Sequence, residues 1–140
     1  MLKSVKVRDY MTRHLVTFHA DTDLFTAINR LLEHRISGAP VVDGQGRLVG
    51  LLSEGDCLRG ILQGAYYEAT GGTIASYMTT NVETTSPEAD IIDVAERFLK
   101  GRRRRFPVVE GGKLVGQISR HDVLLAVKEF AQHEQGHSRG

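Results

Sequence analysis

The sequence contains two copies of a motif, Gly-x-apolar-Ser-x-x-Asp, at residues 50–56 and 116–122. In each copy the aspartate lies where an apolar run changes to a helical pattern, so its carboxylate can accept hydrogen bonds from the vicinal hydroxyls of a ribose. The serine three residues earlier and the amides of the helix N-terminus can contact a phosphate. Alternatively, Asp56 and Asp122 simply cap the helices that follow them. The motif therefore indicates nucleotide binding, helix capping, or both.

The two motifs lie within a longer repeat, whose copies are about 67 residues apart. Apolar residues recur at i, i+4, i+7 and i+8 in residues 24–32 and again in 91–99, which predicts two amphipathic helices with Leu32 and Leu99 facing inward. Ser86-Pro87 is typical of a helix N-terminus and is expected to begin the second of them. A repeat of this length indicates two copies of one supersecondary unit, each too small to bury an adequate core alone.

Each predicted helix is followed by two short apolar runs with a glycine-containing turn between them, which is typical of a β-hairpin. Pro40 and Pro107 lack an N–H group, so each is expected to be the first residue of its strand. A second helix is expected to begin at Asp56 in the first copy and at Asp122 in the second. The predicted order in each copy is therefore helix, hairpin, helix.

Taken together, these pieces resemble a tandem cystathionine-β-synthase (CBS) domain pair, also called a Bateman module. The resemblance is carried by Val7–Thr12, Ile36–Asp43 and Gly50–Asp56 in the first copy and by Phe106–Val109 and Gly116–Asp122 in the second. It implies an α+β fold of two β-α-β-β-α repeats packed as a pseudo-two-fold pair. The expected boundaries are repeat 1 at 5–63, a linker at 64–72, repeat 2 at 73–132 and a flexible C-terminal tail at 133–140.

The resemblance also implies two ligand clefts between the repeats, each formed by residues of both. One expected site combines Ser119, Arg120 and Asp122 with Leu15, Ile36, Ser37 and Gly38. The other combines Ser53, Glu54 and Asp56 with Val82, Arg103, Arg104 and Arg105. Arg120 would attract a phosphate, whereas its counterpart Glu54 would repel one, so the two sites are expected to prefer different ligands.

The family binds adenosine-containing molecules, so the expected ligand is AMP, ADP or ATP, with NAD(H) and S-adenosylmethionine as alternatives. A ligand held by both repeats would favour one arrangement of them, and binding would thereby be signalled to a regulated protein that the sequence does not identify. The family often dimerises through the helices after the hairpins, which here carry the apolar residues Leu58, Ile61, Leu62, Val123, Val127 and Phe130. We therefore expect a homodimeric, non-catalytic regulatory module. The alternative is a structural dimerisation module with vestigial clefts.

Composition argues against several other classes. The chain has 140 residues with 18 basic and 17 acidic side chains, so no overall field attracts it to nucleic acid or anionic lipid. The run Arg102–Arg105 nevertheless leaves a nucleic-acid-binding adaptor as a further alternative. No apolar stretch approaches the roughly 20 residues that span a bilayer, and the N-terminus lacks the pattern of a secretory signal. The single cysteine, Cys57, is expected in the core of a cytoplasmic protein.

Two patterns superficially match catalytic sites. Residues 133–137 have the His-Glu-x-x-His spacing of zinc proteases, but Gly136 weakens a helix there and a third ligand is missing. Residues 119–122 contain a serine, a histidine and an aspartate, but neighbours in sequence rarely converge as a catalytic triad. We therefore expect no catalytic residue and no metal site.

Overall fold

A computed structural model describes residues 2–64, 72–101 and 103–139; for Lys3 and residues 135–139 it describes the backbone alone. Residues 65–71 of the predicted linker and Arg102 lie outside the described residues. The helices and strands are α1 (Leu24–His34), β1 (Gly38–Val42), β2 (Leu48–Ser53), α2 (Glu54–Leu62), α3 (Ile91–Gly101), β3 (Arg105–Glu110), β4 (Lys113–Ser119) and α4 (Arg120–Arg139). The predicted order of helix, hairpin and helix is confirmed in both copies.

The chain forms two compact units whose composition differs from that of the sequence copies. The Asp56 unit contains Leu15–Val82 and Gly112–Leu114, and the Asp122 unit contains Met1–His14, Glu83–Gly111 and Val115–Gly140. The segment that begins each sequence copy, residues 5–14 in the first and 73–82 in the second, therefore belongs to the unit that is built mainly from the other copy. We call each of these an exchanged segment. No local pattern in the sequence predicted this exchange.

The sheet of the Asp56 unit is built around the first hairpin. Strands β1 and β2 pair antiparallel, with Gly38 opposite Ser53. Phe18 forms a parallel bridge to β1, and Thr79 forms an antiparallel bridge to Leu51 of β2. The exchanged segment that contains Thr79 is thus bound directly to the strand that leads into the motif.

The Asp122 unit repeats this arrangement with β3 and β4, which form one sheet. Thr12 forms an antiparallel bridge to Gln117 of β4, with N···O distances of 2.8 and 2.9 Å. A Cβ atom on Gly116 would lie 2.8 Å from Met11 Sδ and 2.9 Å from Thr12 O. The glycine that opens each motif is therefore required because the exchanged segment passes against it.

Pro40 and Pro107 are each the third residue of a strand, so the prediction that they begin their strands was wrong. Pro40 O accepts a hydrogen bond from Phe18 N at 3.0 Å, and Pro107 O accepts one from Thr85 N at 3.0 Å. The N and O atoms of one residue point to the same side of a strand. Each proline therefore uses its carbonyl group for the first bond of this short parallel pairing. The N–H that proline lacks would point to the same side just before that bond, so no hydrogen bond between strands is lost.

Aspartates, rather than the predicted Ser86, cap the first helix of each copy. Asp23 Oδ2 accepts from Thr26 N at 3.0 Å at the start of α1. Asp90 Oδ1 accepts from Asp93 N at 2.7 Å at the start of α3. The prediction that Ser86-Pro87 begins α3 was wrong, since Ser86 Oγ instead accepts from Glu88 N in a preceding turn.

Each unit has its own hydrophobic core. The buried residues of the first core include Phe18, Leu24, Leu31, Leu52 and Ile74, and those of the second include Val7, Ile91, Phe98, Phe106 and Ile118. Cys57 is buried in the first core, as predicted. Leu32 and Leu99 were predicted to face inward, but they are 68% and 82% exposed. Each follows a buried residue and is therefore rotated by about 100° from the buried face.

Candidate functional site

The first motif forms the N-terminus of α2. Ser53 Oγ accepts a hydrogen bond from Asp56 N at 3.1 Å, and Asp56 Oδ2 accepts one from Ser53 N at 2.9 Å. These reciprocal bonds are a capping box with Ser53 as the N-cap. The helix therefore begins at Glu54, two residues before the predicted start.

The second motif has the same local geometry. Ser119 Oγ accepts from Asp122 N at 3.2 Å, and Asp122 Oδ2 accepts from Ser119 N at 2.9 Å. The following helix, α4, begins at Arg120 rather than at the predicted Asp122. The prediction that both aspartates cap helices is confirmed. The cap uses Oδ2 of each carboxylate, so Oδ1 can have other partners.

The second oxygen of Asp56 is already engaged. Asp56 Oδ1 forms an ion pair with Arg59, one turn along α2, and accepts a hydrogen bond from Thr79 Oγ1 at 3.3 Å. The Asp56 side chain is only 2% exposed, whereas that of Arg59 is 61% exposed. Three donors therefore surround the Asp56 carboxylate: a backbone amide, a guanidinium group and a hydroxyl.

Asp122 is half-buried, whereas Asp56 is buried. Among the described residues of the Asp122 unit, Ser119 is the hydrogen-bond partner of the Asp122 carboxylate. The position that matches Arg59 is Leu125, which has no polar side-chain atom. The two motifs therefore share the cap but differ at the second carboxylate oxygen.

Arg120, the predicted phosphate contact, donates to backbone carbonyl groups. Its Nε atom donates to Arg103 O at 2.9 Å and its Nη2 atom to Phe98 O at 3.1 Å. Phe98 lies in the last turn of α3, where carbonyl groups lack intrahelical partners. Since a guanidinium group has five N–H donors, Arg120 stabilises this helix end and keeps donors for another contact.

The arginine run before β3 is also partly engaged. Arg103 forms an ion pair with Glu83 at 3.3 Å. Arg105 is half-buried and has an interaction partner. Arg104 is exposed, and in the described part of the chain it has no ion-pair partner. Of these three arginines, Arg104 is the one whose charge is most available to an anionic ligand.

The structure also places the other predicted site residues. Ser37 and Gly38 lie beside the first motif, because Glu54 N donates to Ser37 O at 2.9 Å and Gly38 pairs with Ser53. Arg104 lies beside the second motif in the same way, since Arg104 O accepts from Arg120 N at 3.2 Å. The remaining predicted residues of the Asp56 unit, Leu15, Ile36 and Val82, are half-buried. The predicted grouping of each motif with residues of the other unit stays a prediction.

Cys57, next to the first motif, is not a favourable nucleophile. Burial raises the pKa of its thiol, and the negative charges of Asp56 and Glu54 raise it further. Since the thiolate is the reactive form, this environment disfavours its chemistry. His133 and Glu134 of the zinc-like motif are exposed on α4, and the side chains of residues 135–137 lie outside the described part.

Each unit also has an apolar groove between its two helices. In the Asp56 unit, a groove of about 460 Å³ lies between α1 and α2 and is lined by Ile28, Leu31, Leu32, Glu54, Cys57, Leu58 and Ile61. In the Asp122 unit, a groove of about 250 Å³ is lined by Ala95, Phe98, Leu99, Arg120, Val123 and Leu124. Beside these grooves, Leu58 and Leu62 are exposed, while Val123 of the predicted dimer face is buried.

The fold and the motif geometry define a repeated α+β protein in which each hairpin leads through a capping box into a helix. Residues 7–63 and 74–129 match the CBS domain family. The chain therefore belongs to the CBS domain family and contains two tandem repeats. This confirms the family that the sequence motifs indicated.

Proteins of known sequence and structure share this arrangement. The protein MJ1225 of Methanocaldococcus jannaschii is 31% identical over 118 residues, which are 84% of this chain and 41% of MJ1225. The chain thus spans less than half the length of this relative. Among solved structures, CBSX2 of Arabidopsis thaliana in complex with AMP has a TM-score of 0.80 and 29% identity, over 91% of this chain and 98% of CBSX2. The CBS domain pair of MJ0100, in complex with 5-methylthioadenosine and S-adenosylmethionine, has a TM-score of 0.74 and 26% identity, over 89% and 97% of the two chains.

Proposed function

We propose that this chain is a non-catalytic regulatory module that binds an adenine nucleotide or a related adenosyl ligand and signals its presence to a partner protein. The observation that carries the proposal is the half-buried Asp122 at the N-terminus of α4, where Ser119 is its hydrogen-bond partner within the unit. Similar CBS pairs bound to AMP and to S-adenosylmethionine support this choice of ligand.

In this proposal, each part of the second motif contacts one part of the ligand. The Asp122 carboxylate accepts hydrogen bonds from the ribose hydroxyls, and Ser119 Oγ with the first amides of α4 contacts the phosphate or its replacement. Arg120, the first residue of α4, keeps N–H donors beside its two backbone contacts and is proposed to contact the phosphate as well. The base is proposed to contact the residues that the family resemblance assigns to this site: Leu15, Ile36, Ser37 and Gly38. A second ligand site is proposed at Ser53, Asp56, Val82, Arg103, Arg104 and Arg105.

Calorimetric titration with AMP, ADP, ATP, NAD(H) and S-adenosylmethionine tests the proposal. Hydrogen bonds to a charged group are each worth about 1.5–3 kcal/mol, so Asp122→Ala is expected to weaken the best ligand by about 10- to 100-fold. Asp93→Ala is the matched control, since Asp93 is an exposed aspartate in the first turn of α3. Failure of every ligand to bind the unmodified chain would refute the proposal, and equal affinity of the two variants would refute the role of Asp122.

A structural dimerisation module is the second candidate, and the exposed apolar side chains favour it. Leu32, Leu58 and Leu62 are at least 65% exposed around the groove of the Asp56 unit. A second copy of the chain would remove this apolar surface from water. We propose a homodimer on this basis. Sedimentation equilibrium should show a dimer that Leu58→Glu dissociates, and a monomeric unmodified chain would contradict this proposal.

Nucleic-acid binding has less support, because Arg103 and Arg120 already have protein partners. None of the helices in the described part of the chain is long and apolar enough to cross a membrane. We propose a cytoplasmic location on the separate ground that the single cysteine is a buried free thiol.

A further inference from the structure

We propose that Arg59 determines which of the two motifs binds the adenosyl ligand, by occupying the Asp56 carboxylate and leaving Asp122 as the preferred site. This inference rests on the proposed function and goes beyond it, because it assigns unequal affinities to the two motifs. Arg59 was absent from the site residues predicted from the sequence. The signal that could have found it is an opposite charge three residues after Asp56 on the same helix.

The Asp56 carboxylate has little remaining capacity to accept a ribose. A carboxylate offers about four lone-pair positions, and Ser53 N, Thr79 Oγ1 and the Arg59 guanidinium already use three of them. A ribose diol requires two. A charge-assisted bond from a guanidinium is also stronger than a neutral bond from a hydroxyl. Ribose binding at Asp56 therefore requires the displacement of at least one of these donors.

Burial adds to this effect. Asp56 is 2% exposed while Arg59 is 61% exposed, so the arginine lies on the solvent side of the carboxylate. An ion pair with one exposed partner is weak, because water and salt screen it. Arg59 is therefore expected to reduce ligand affinity at Asp56 without abolishing it, by about twofold.

The second motif provides the natural comparison. Leu125 stands at the position of Arg59, and its side chain cannot donate to Asp122. Thr12 matches Thr79 in the sequence and likewise pairs with the strand before the motif. The capping box is the same in both units. Residues 59 and 125 therefore differ in whether the side chain one turn along the helix can donate to the motif carboxylate.

The test measures each motif after the other has been disabled. In an Asp122→Ala background, Arg59→Leu is expected to strengthen AMP binding by about twofold in calorimetry. Arg47→Leu in the same background is the control, since it removes an equal charge from an exposed turn of the same unit. In an Asp56→Ala background, Leu125→Arg is expected to weaken AMP binding by a similar factor. Circular dichroism of each variant establishes that it is folded.

The outcomes separate this inference from the proposed function. If the unmodified chain binds no adenosyl ligand, the proposed function fails and this inference fails with it. If the chain binds AMP but the Asp122→Ala and Asp56→Ala variants bind AMP with equal affinity, the proposed function stands and the role of Arg59 is overturned. Weaker AMP binding after Arg59→Leu would also overturn it, since Arg59 would then be a ligand contact. Should Arg59→Leu fail to fold, Leu125→Arg decides by the same criterion.

Discussion

Replacing each motif aspartate with alanine should cost different amounts of stability, although the two capping boxes are the same. Asp56→Ala removes a bond from Ser53 N at 2.9 Å, a longer bond from Thr79 at 3.3 Å, and the ion pair with Arg59. A bond to a buried charged group is worth about 1.5–3 kcal/mol. The exposed ion pair adds about 0.5 kcal/mol, and relief of carboxylate desolvation offsets part of the total. The expected loss is about 2.5 kcal/mol.

Asp122→Ala removes the bond from Ser119 N, also at 2.9 Å, at a half-buried position without an ion pair at residue 125. The expected loss is about 1 kcal/mol, which is typical of a helix cap. Arg59→Leu is a third variant and should change stability by no more than about 0.5 kcal/mol, because Arg59 is mainly exposed.

Urea denaturation followed by circular dichroism measures these differences. With a slope of about 2 kcal/mol/M, Asp56→Ala should lower the midpoint by about 1.2 M and Asp122→Ala by about 0.5 M. Equal midpoints for these two variants would refute the reasoning, since they would show that burial, Thr79 and Arg59 contribute nothing at Asp56. A change in slope would indicate that the two units unfold separately, and each transition would then be compared by itself.

Three further predictions concern individual side chains. Gly116→Ala should lower the free energy of unfolding by about 1–3 kcal/mol in urea denaturation, because its Cβ would clash with the exchanged segment. Gly44→Ala is the control and should change little, since a Cβ there meets open space. Equal losses in the two variants would contradict the close approach at Gly116. Hydrogen bonds from backbone amides lower the pKa of Asp43 below its ordinary 3.8, so its contribution to stability is present above pH 3.8 and is lost as the pH falls through the folded-state value. Asp43→Asn should reduce this acid dependence in denaturation at successive pH values, and an unchanged dependence would contradict it. Tyr10 Oη donates a hydrogen bond to Glu129 Oε2 at 2.5 Å, and this bond, with burial, raises the pKa of Tyr10 to about 12. Glu129→Ala should therefore return that pKa towards 10.0 in an ultraviolet titration, and an unchanged Tyr10 pKa would contradict the role of Glu129.

The sequence predicted the elements whose causes are local. Apolar spacing gave α1 and α3, and the glycine-containing turns gave both hairpins, because side-chain period and turn chemistry act over a few residues. The helix starts were less accurate. Asp90 competes with Ser86 as a cap, and the apolar pattern alone did not choose between them. The exposure of Leu32 could not be predicted, since a pattern shows that a helix has an apolar face but not where the contact ends.

The candidate site was predicted at the level of residue types but not of their partners. The motif located Asp56, Asp122 and their serines, and the structure confirms that both aspartates cap helices. The motif did not show that the Arg120 side chain donates to backbone carbonyl groups at the end of α3 and just after it. That interaction depends on where α3 ends relative to β4, which is set by packing. Local sequence therefore indicated which residues form the motif, while tertiary contacts determine which of their atoms remain available.

The exchange of leading segments also affects the order in which the protein can fold during synthesis. Thr12 pairs with Gln117, about 105 residues later in the chain. At a synthesis rate of roughly 5–20 residues per second, residues 2–14 wait on the order of 5–20 s for their partner strand. During that time Val7, which is fully buried in the finished core, has no complete core to enter. The Asp56 unit is made earlier, because it is largely complete once Val82 has been synthesised. The Asp122 unit is therefore expected to form after the Asp56 unit, and residues 2–14 are among the last to reach their final position.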